Sequence, residues 1–126
     1  MSETNMKIKS ILSITLLLYA TNSYAASFVN PIYYEDTEEN RQKVITYIEE
    51  NTKETYCETV DMCNPSTLRM MEKQNLKAFK YLTIVDDKEL LQKTINEYCS
   101  IDMCNYSTIK MMYDTHYKAS KEKLSW

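Results

Sequence analysis

Apolar residues along this chain recur at helical spacing rather than alternating. From Thr37 onward, Val44, Ile45, Ile48, Thr52 and Tyr56 gather near one face, the three-to-four-residue period of an amphipathic helix. The same period returns in Leu68, Met71, Ala78, Phe79 and Leu82, then in Leu91, Thr94, Ile95 and Tyr98, and finally in Ile109, Met112, Tyr113 and His116. Start signals sit ahead of each run. Asp36 with Glu39 has capping-box spacing inside an acidic cluster, which suits a helix N-terminus. Asp86 or Asp87 opens the third run. Asn64 before Pro65, and Asn105 before Tyr106, read as N-caps, with proline favoured at the first helical position. The pattern predicts helices over about 37–57, 65–83, 87–99 and 106–121, after an extended arm over 26–35 (ASFVNPIYYE). The expected fold class is all-α, a small four-helix domain.

The helices come from a duplicated unit. Residues 56–71 (YCETVDMCNPSTLRMM) and 98–112 (YCSIDMCNYSTIKMM) align with one residue gapped near Thr59, and ten of fifteen aligned positions are identical. Val60/Ile101, Leu68/Ile109 and Arg69/Lys110 are conservative replacements. The period is 41 residues, from Cys63 to Cys104. Periods of this size mark stacked supersecondary units. Two copies, over about 37–83 and 87–121, suggest a helical hairpin that packs on its own duplicate.

Residues 1–25 have the layout of a cleaved signal peptide. Lys7 and Lys9 form a basic start, and Ile11 to Ala20 is an apolar run of ten residues, too short to span a bilayer. Small residues at Ser23 and Ala25 place cleavage before Ala26. Met6 is an alternative start to Met1. The expected product is a single domain, 26–126, that is periplasmic or secreted and has no stable membrane anchor.

The four cysteines, Cys57, Cys63, Cys99 and Cys104, fit that address. An even count in a short exported chain implies disulfides. Their C-x5-C and C-x4-C spacings differ from the C-x2-C of zinc ribbons and redox motifs. Of three connectivities, the local one (Cys57 with Cys63, Cys99 with Cys104) is preferred, since each repeat then carries its own pair. Its chief rival crosses between repeats. Such short loops limit the stabilisation to roughly 2 kcal/mol per bond in the chain-entropy model, so the bonds would mainly fix corner geometry.

Composition narrows the chemistry. There is no glycine, which excludes the glycine-rich phosphate loops and the nucleophile elbow. His116 is the only histidine, and no base–nucleophile pair stands out. The expectation is a protein that is not an enzyme and needs no cofactor or metal. The adjacent pairs Met70-Met71 and Met111-Met112 diverge by roughly 100° on a helix, so one of each pair should turn inward as an adaptable filler. Tyrosine is frequent, at nine residues beyond Ala25, which suits half-wet boundary positions and interfaces.

Residues 26–126 carry 13 basic and 17 acidic residues, and 35–58 is strongly acidic. Arg69, Lys73, Lys77 and Lys80 nonetheless recur along one helical face, with Tyr81 beside them. The second repeat breaks the stripe at Asp114. A short stripe on an acidic, exported chain does not suit nucleic acid. It suits either a solvated face partly neutralised by the acidic first helix or a docking strip for an acidic protein partner. The expected function is an exported protein-binding module, with an inhibitor or immunity-type protein acting on an envelope toxin or hydrolase as the favoured form. The alternatives are a structural or accessory component of a secretion or conjugation machine, and a small hydrolase built on the acidic groups. The shared corner residues are assigned to structure, and the residues that differ between repeats to function.

Overall fold

Among the described residues, each of the four α-helices opens on a side chain that accepts one of its unpaired first-turn amides. The computed structural model describes residues 26–126; the expected signal peptide lies outside the described residues. α1 spans Glu38–Lys53, α2 Pro65–Leu82, α3 Lys88–Ser100 and α4 Tyr106–Lys121, and no strand occurs among the described residues. Asn64 Oδ1 accepts from the Thr67 amide at 2.9 Å, Asp87 Oδ1 from Leu90 at 3.0 Å and Asn105 Oδ1 from Thr108 at 2.9 Å. α1 differs from the capping-box expectation. Thr37 Oγ1 is its cap, accepting from the Asn40 amide at 3.1 Å. The Asp36 carboxylate is taken instead by Arg41, whose Nε and Nη2 donate to it at 2.7 and 2.8 Å.

The two corners show how a chain without glycine reverses direction. α3 ends in a Schellman motif: the Met103 amide donates to the Tyr98 carbonyl at 2.9 Å and the Asp102 amide to Cys99 at 3.4 Å. The left-handed residue this requires is Asp102, with φ 63°, a place that asparagine and aspartate tolerate best after glycine. In the first repeat the equivalent amide, Met62, donates to the equivalent carbonyl, Tyr56, at 2.7 Å, and Asp61 takes φ 53°. One extra residue must fit between them. α1 therefore widens into a π-helix over Glu54–Thr59, the usual way a helix absorbs a single insertion. Disulfides Cys57–Cys63 and Cys99–Cys104 close the corners, with Cα separations of 4.3 and 4.2 Å. The local pairing is the one formed.

The helices are ordered α1–α2–α4–α3 by contact. Asn75 Oδ1 accepts from the Ser107 amide at 3.1 Å, and further along both helices Tyr81 donates to Asp114 at 2.7 Å. α2 and α4 therefore run parallel, with the start of α4 beside the middle of α2, offset by roughly 15 Å. Val44, Ile48, Phe79, Leu82, Leu91, Ile95, Ile109 and Tyr113 fill the core between the hairpins.

The arm is not a free extension. It makes a short 3-10 turn over Pro31–Tyr33, and Pro31 is buried. Phe28 stacks on Tyr106 at 5.2 Å between ring centroids and meets the Tyr47 ring edge-on at 5.5 Å. Tyr34 packs edge-on against Phe79 at 4.9 Å. Asn30 Nδ2 donates to Gln92 on α3 at 2.9 Å. The arm thus wedges between the repeats where the second corner meets the core. No described helix is long and apolar enough to cross a membrane.

Candidate functional site

α2 turns Asn75, Ala78, Phe79 and Leu82 inward. At roughly 100° per residue, Arg69, Lys73, Lys77 and Lys80 then fall within about 80° of one another on the opposite side. All four are exposed, and they form a crest between two grooves. Arg69 is partly neutralised by Glu72, at 2.6 Å. Among the described residues, Lys73, Lys77 and Lys80 form no ion pair. Lys80 borders the α1–α2 groove, near Asp36 and Arg41. Its field adds to the hydrogen bonds from Arg41 and Tyr34 that hold the Asp36 carboxyl down at about 2. Lys77 borders the α2–α4 groove, a depression of about 590 Å³ shared with Gln74, Ser107, Lys110, Met111 and Asp114.

Tyr81 lies one helical turn beyond Lys77, in the junction of α2 with α4. Its hydroxyl donates to Asp114, the Lys110 ammonium sits 4.3 Å from its ring centroid, and Lys110 pairs with Asp114 at 2.8 Å. The bond to Asp114, followed by desolvation, pushes its hydroxyl up to about 12. Tyr81 therefore braces the two repeats while lining the same groove as Lys77, at the edge of the crest.

The other candidate groups occupy varied places. All four cysteines are in disulfides. His116 is half-buried, its Nε2 3.9 Å from Glu97. Among the described residues, no group of three His, Cys, Asp or Glu side chains is placed to hold a metal. Met71 and Met112 turn partly inward, while Met70 and Met111 remain 61% and 58% exposed. The hydrophobic patterns pick out the inner member of each pair. The outer member follows from the divergence of adjacent residues, and both repeats leave it on the surface next to charged neighbours.

The repeats also expose Val60 and Ile101, and Met62 and Met103. Residues shared by the repeats thus do not all serve the core. The two methionines occupy the position after the left-handed residue, where an apolar side chain commonly rests against the end of the preceding helix. Met70 and Met111 lie away from those helix ends, and Met111 lines the α2–α4 groove. Comparison of the chain with protein-family models, curated proteins and solved structures finds no match.

Proposed function

We propose that this chain is an exported, non-enzymatic protein-binding module of the inhibitor or immunity type, acting on an envelope toxin or hydrolase in the periplasm or outside the cell. Its partner docks on the basic crest of α2. The observation that carries this reading is the set of unpaired ammonium groups at Lys73, Lys77 and Lys80 on a disulfide-anchored helix, beside the exposed Met70. A rigid helix loses little conformational entropy on binding, and a like-charged row steers an acidic partner towards it.

A second reading, an accessory part of an envelope secretion or conjugation machine, draws on one observation: Leu124 and Trp126 are fully exposed beyond α4, as an assembly anchor would be. Fractionation separates the two, since a machine component sediments with membranes.

For the first reading, tagged protein is used to capture partners from envelope extract at low salt. The double variant Lys73→Glu, Lys77→Glu should fold as wild type and lose the captured protein. If it retains that protein undiminished, the crest is only a solvated face.

A further inference from the structure

Within this molecule, the α4 counterpart of part of the crest is already packed against another helix. The 41-residue period places Ser66, Arg69, Met70 and Lys73 of α2 where α4 carries Ser107, Lys110, Met111 and Asp114. Those α4 residues are the face that α4 turns towards α2. The Ser107 amide donates to Asn75, Lys110 lies over Tyr81, Met111 lines the groove, and Asp114 accepts from the Tyr81 hydroxyl. The first repeat carries the same face with no helix against it. Ser66, Arg69, Met70 and Lys73 are all exposed.

One substitution changes its chemistry. Asp114 is an acceptor and meets a tyrosine hydroxyl, whereas Lys73 is a donor with a positive charge. A helix seated on this face must therefore offer an acid where α2 offers Tyr81. It needs a small residue where α2 offers Ala78, because that position is closed by packing in the existing junction.

Resting on the reading of the crest given above, we propose that the crest receives an acidic helix of the partner protein, packed parallel to α2 in the pose that α2 takes against α4, with a carboxylate on Lys73 and Arg69 and an apolar contact on Met70. The pose ranks the crest residues. Lys73 and Arg69 are inside the contact. Lys77 corresponds to Lys118, which is 81% exposed and whose ion pair is with Glu122 on its own helix, so Lys77 is outside it. A diffuse electrostatic field would rank Lys73 and Lys77 equally.

The probe is a synthetic peptide with the sequence Pro65–Leu82, carrying Tyr81→Glu to supply the acid and Lys73→Gln, Lys77→Gln and Lys80→Gln to remove its own crest. Its binding to the full processed protein is followed by fluorescence anisotropy. Lys73→Glu or Arg69→Glu in the protein should weaken it roughly tenfold, the scale of one like-charge contact. Lys77→Glu should leave it within about twofold of wild type, as expected of a rim charge outside the contact, and the peptide that keeps Tyr81 should bind less tightly.

Equal losses for Lys73→Glu and Lys77→Glu would overturn the pose while leaving the crest as a protein-binding face. A peptide that does not bind, or binds without regard to Lys73, also overturns the pose; partner capture by the double variant tests the crest separately. Concentration-dependent dimerisation of the wild type that Lys73→Glu abolishes would make the occupant a second copy, and the acidic foreign helix would be wrong.

Discussion

The Tyr106 hydroxyl donates to the Val29 carbonyl at 2.8 Å and accepts from the Val29 amide at 3.2 Å. One side chain thus satisfies both backbone groups of a residue 77 positions earlier. Tyr106 is fully buried, and its ring touches Phe28, Tyr47 and Phe79. Burial raises its hydroxyl far above the ordinary tyrosine range.

Tyr106→Phe keeps the aromatic packing and removes both bonds. It leaves the Val29 amide and carbonyl without their partner in a part-buried place, at a cost of about 1–3 kcal/mol. Urea unfolding should show that loss, with amide exchange accelerating over 27–34. A variant as stable as wild type would mean that water reaches Val29 and that the arm is held by its rings alone.

The π-helix of the first corner yields a sharper test. If Glu54–Thr59 is wide only because C-x5-C holds one residue more than C-x4-C, deleting Thr59 should restore an α-helical end. The corner would then read YCEVDMC against YCSIDMC, with the Met62 amide, counted in wild-type numbers, closing the same Schellman ring that Met103 closes. The variant should fold, form both disulfides and melt at or above the wild-type temperature. Failure to form the Cys57–Cys63 bond would show that the wide turn is needed for reasons beyond residue count.

The corners and the arm differ in how far local sequence could reveal them. Helical spacing and the Asn64 and Asn105 signals place helices close to those observed, and duplication favours the disulfides that form. These are matters of a few neighbouring residues. The docked arm is not local. Phe28 and Tyr106 are far apart in sequence, and nothing in ASFVNPIYYE states that its rings face inward. Tyr106 occupies the position of the exposed Pro65, yet it is buried because the parallel offset sets the second corner against the middle of α2. That offset also makes Asp114, the break in the second repeat's basic stripe, a junction residue. Thr37 displaced Asp36 as the cap because Arg41 competes for the aspartate with a bidentate, charged contact.

Asp36 gives a pH prediction. Hydrogen bonds from Arg41 and Tyr34 hold its carboxyl at about 2, against about 3.9 in an unfolded chain. Its folded value is depressed. Its contribution to stability is therefore present above the unfolded value and lost as pH falls through about 2. The group is exposed, so salt should weaken the effect. Carboxyl-carbon NMR should find the midpoint near 2 in wild type and close to 4 in Arg41→Gln. A wild-type midpoint already near 4 would mean the ion pair is not held in solution.

The two disulfides close similar loops, but their surroundings are unequal, and this separates what each one holds. Cys63 is exposed and Cys57 half-buried. Cys99 and Cys104 are both half-buried. The Cys104 carbonyl accepts from Tyr47 on α1, the next residues lead into Tyr106, and Ser107 is bonded to Asn75. Loop-closure entropy stabilises both bonds by roughly the same 2 kcal/mol, so any difference comes from what the corner packs against. A mild thiol reductant should open Cys57–Cys63 first, because its sulfurs are more accessible. The paired variant Cys57→Ser, Cys63→Ser should lose about the loop-closure amount and keep the core. The variant Cys99→Ser, Cys104→Ser should lose more, since loosening that corner also frees Tyr106, the Asn75 bond and the arm. Thermal melts of the two variants, with mass spectrometry of partly reduced wild type, decide it. Equal losses, or first reduction of Cys99–Cys104, would mean that the second corner does not anchor the junction between the repeats.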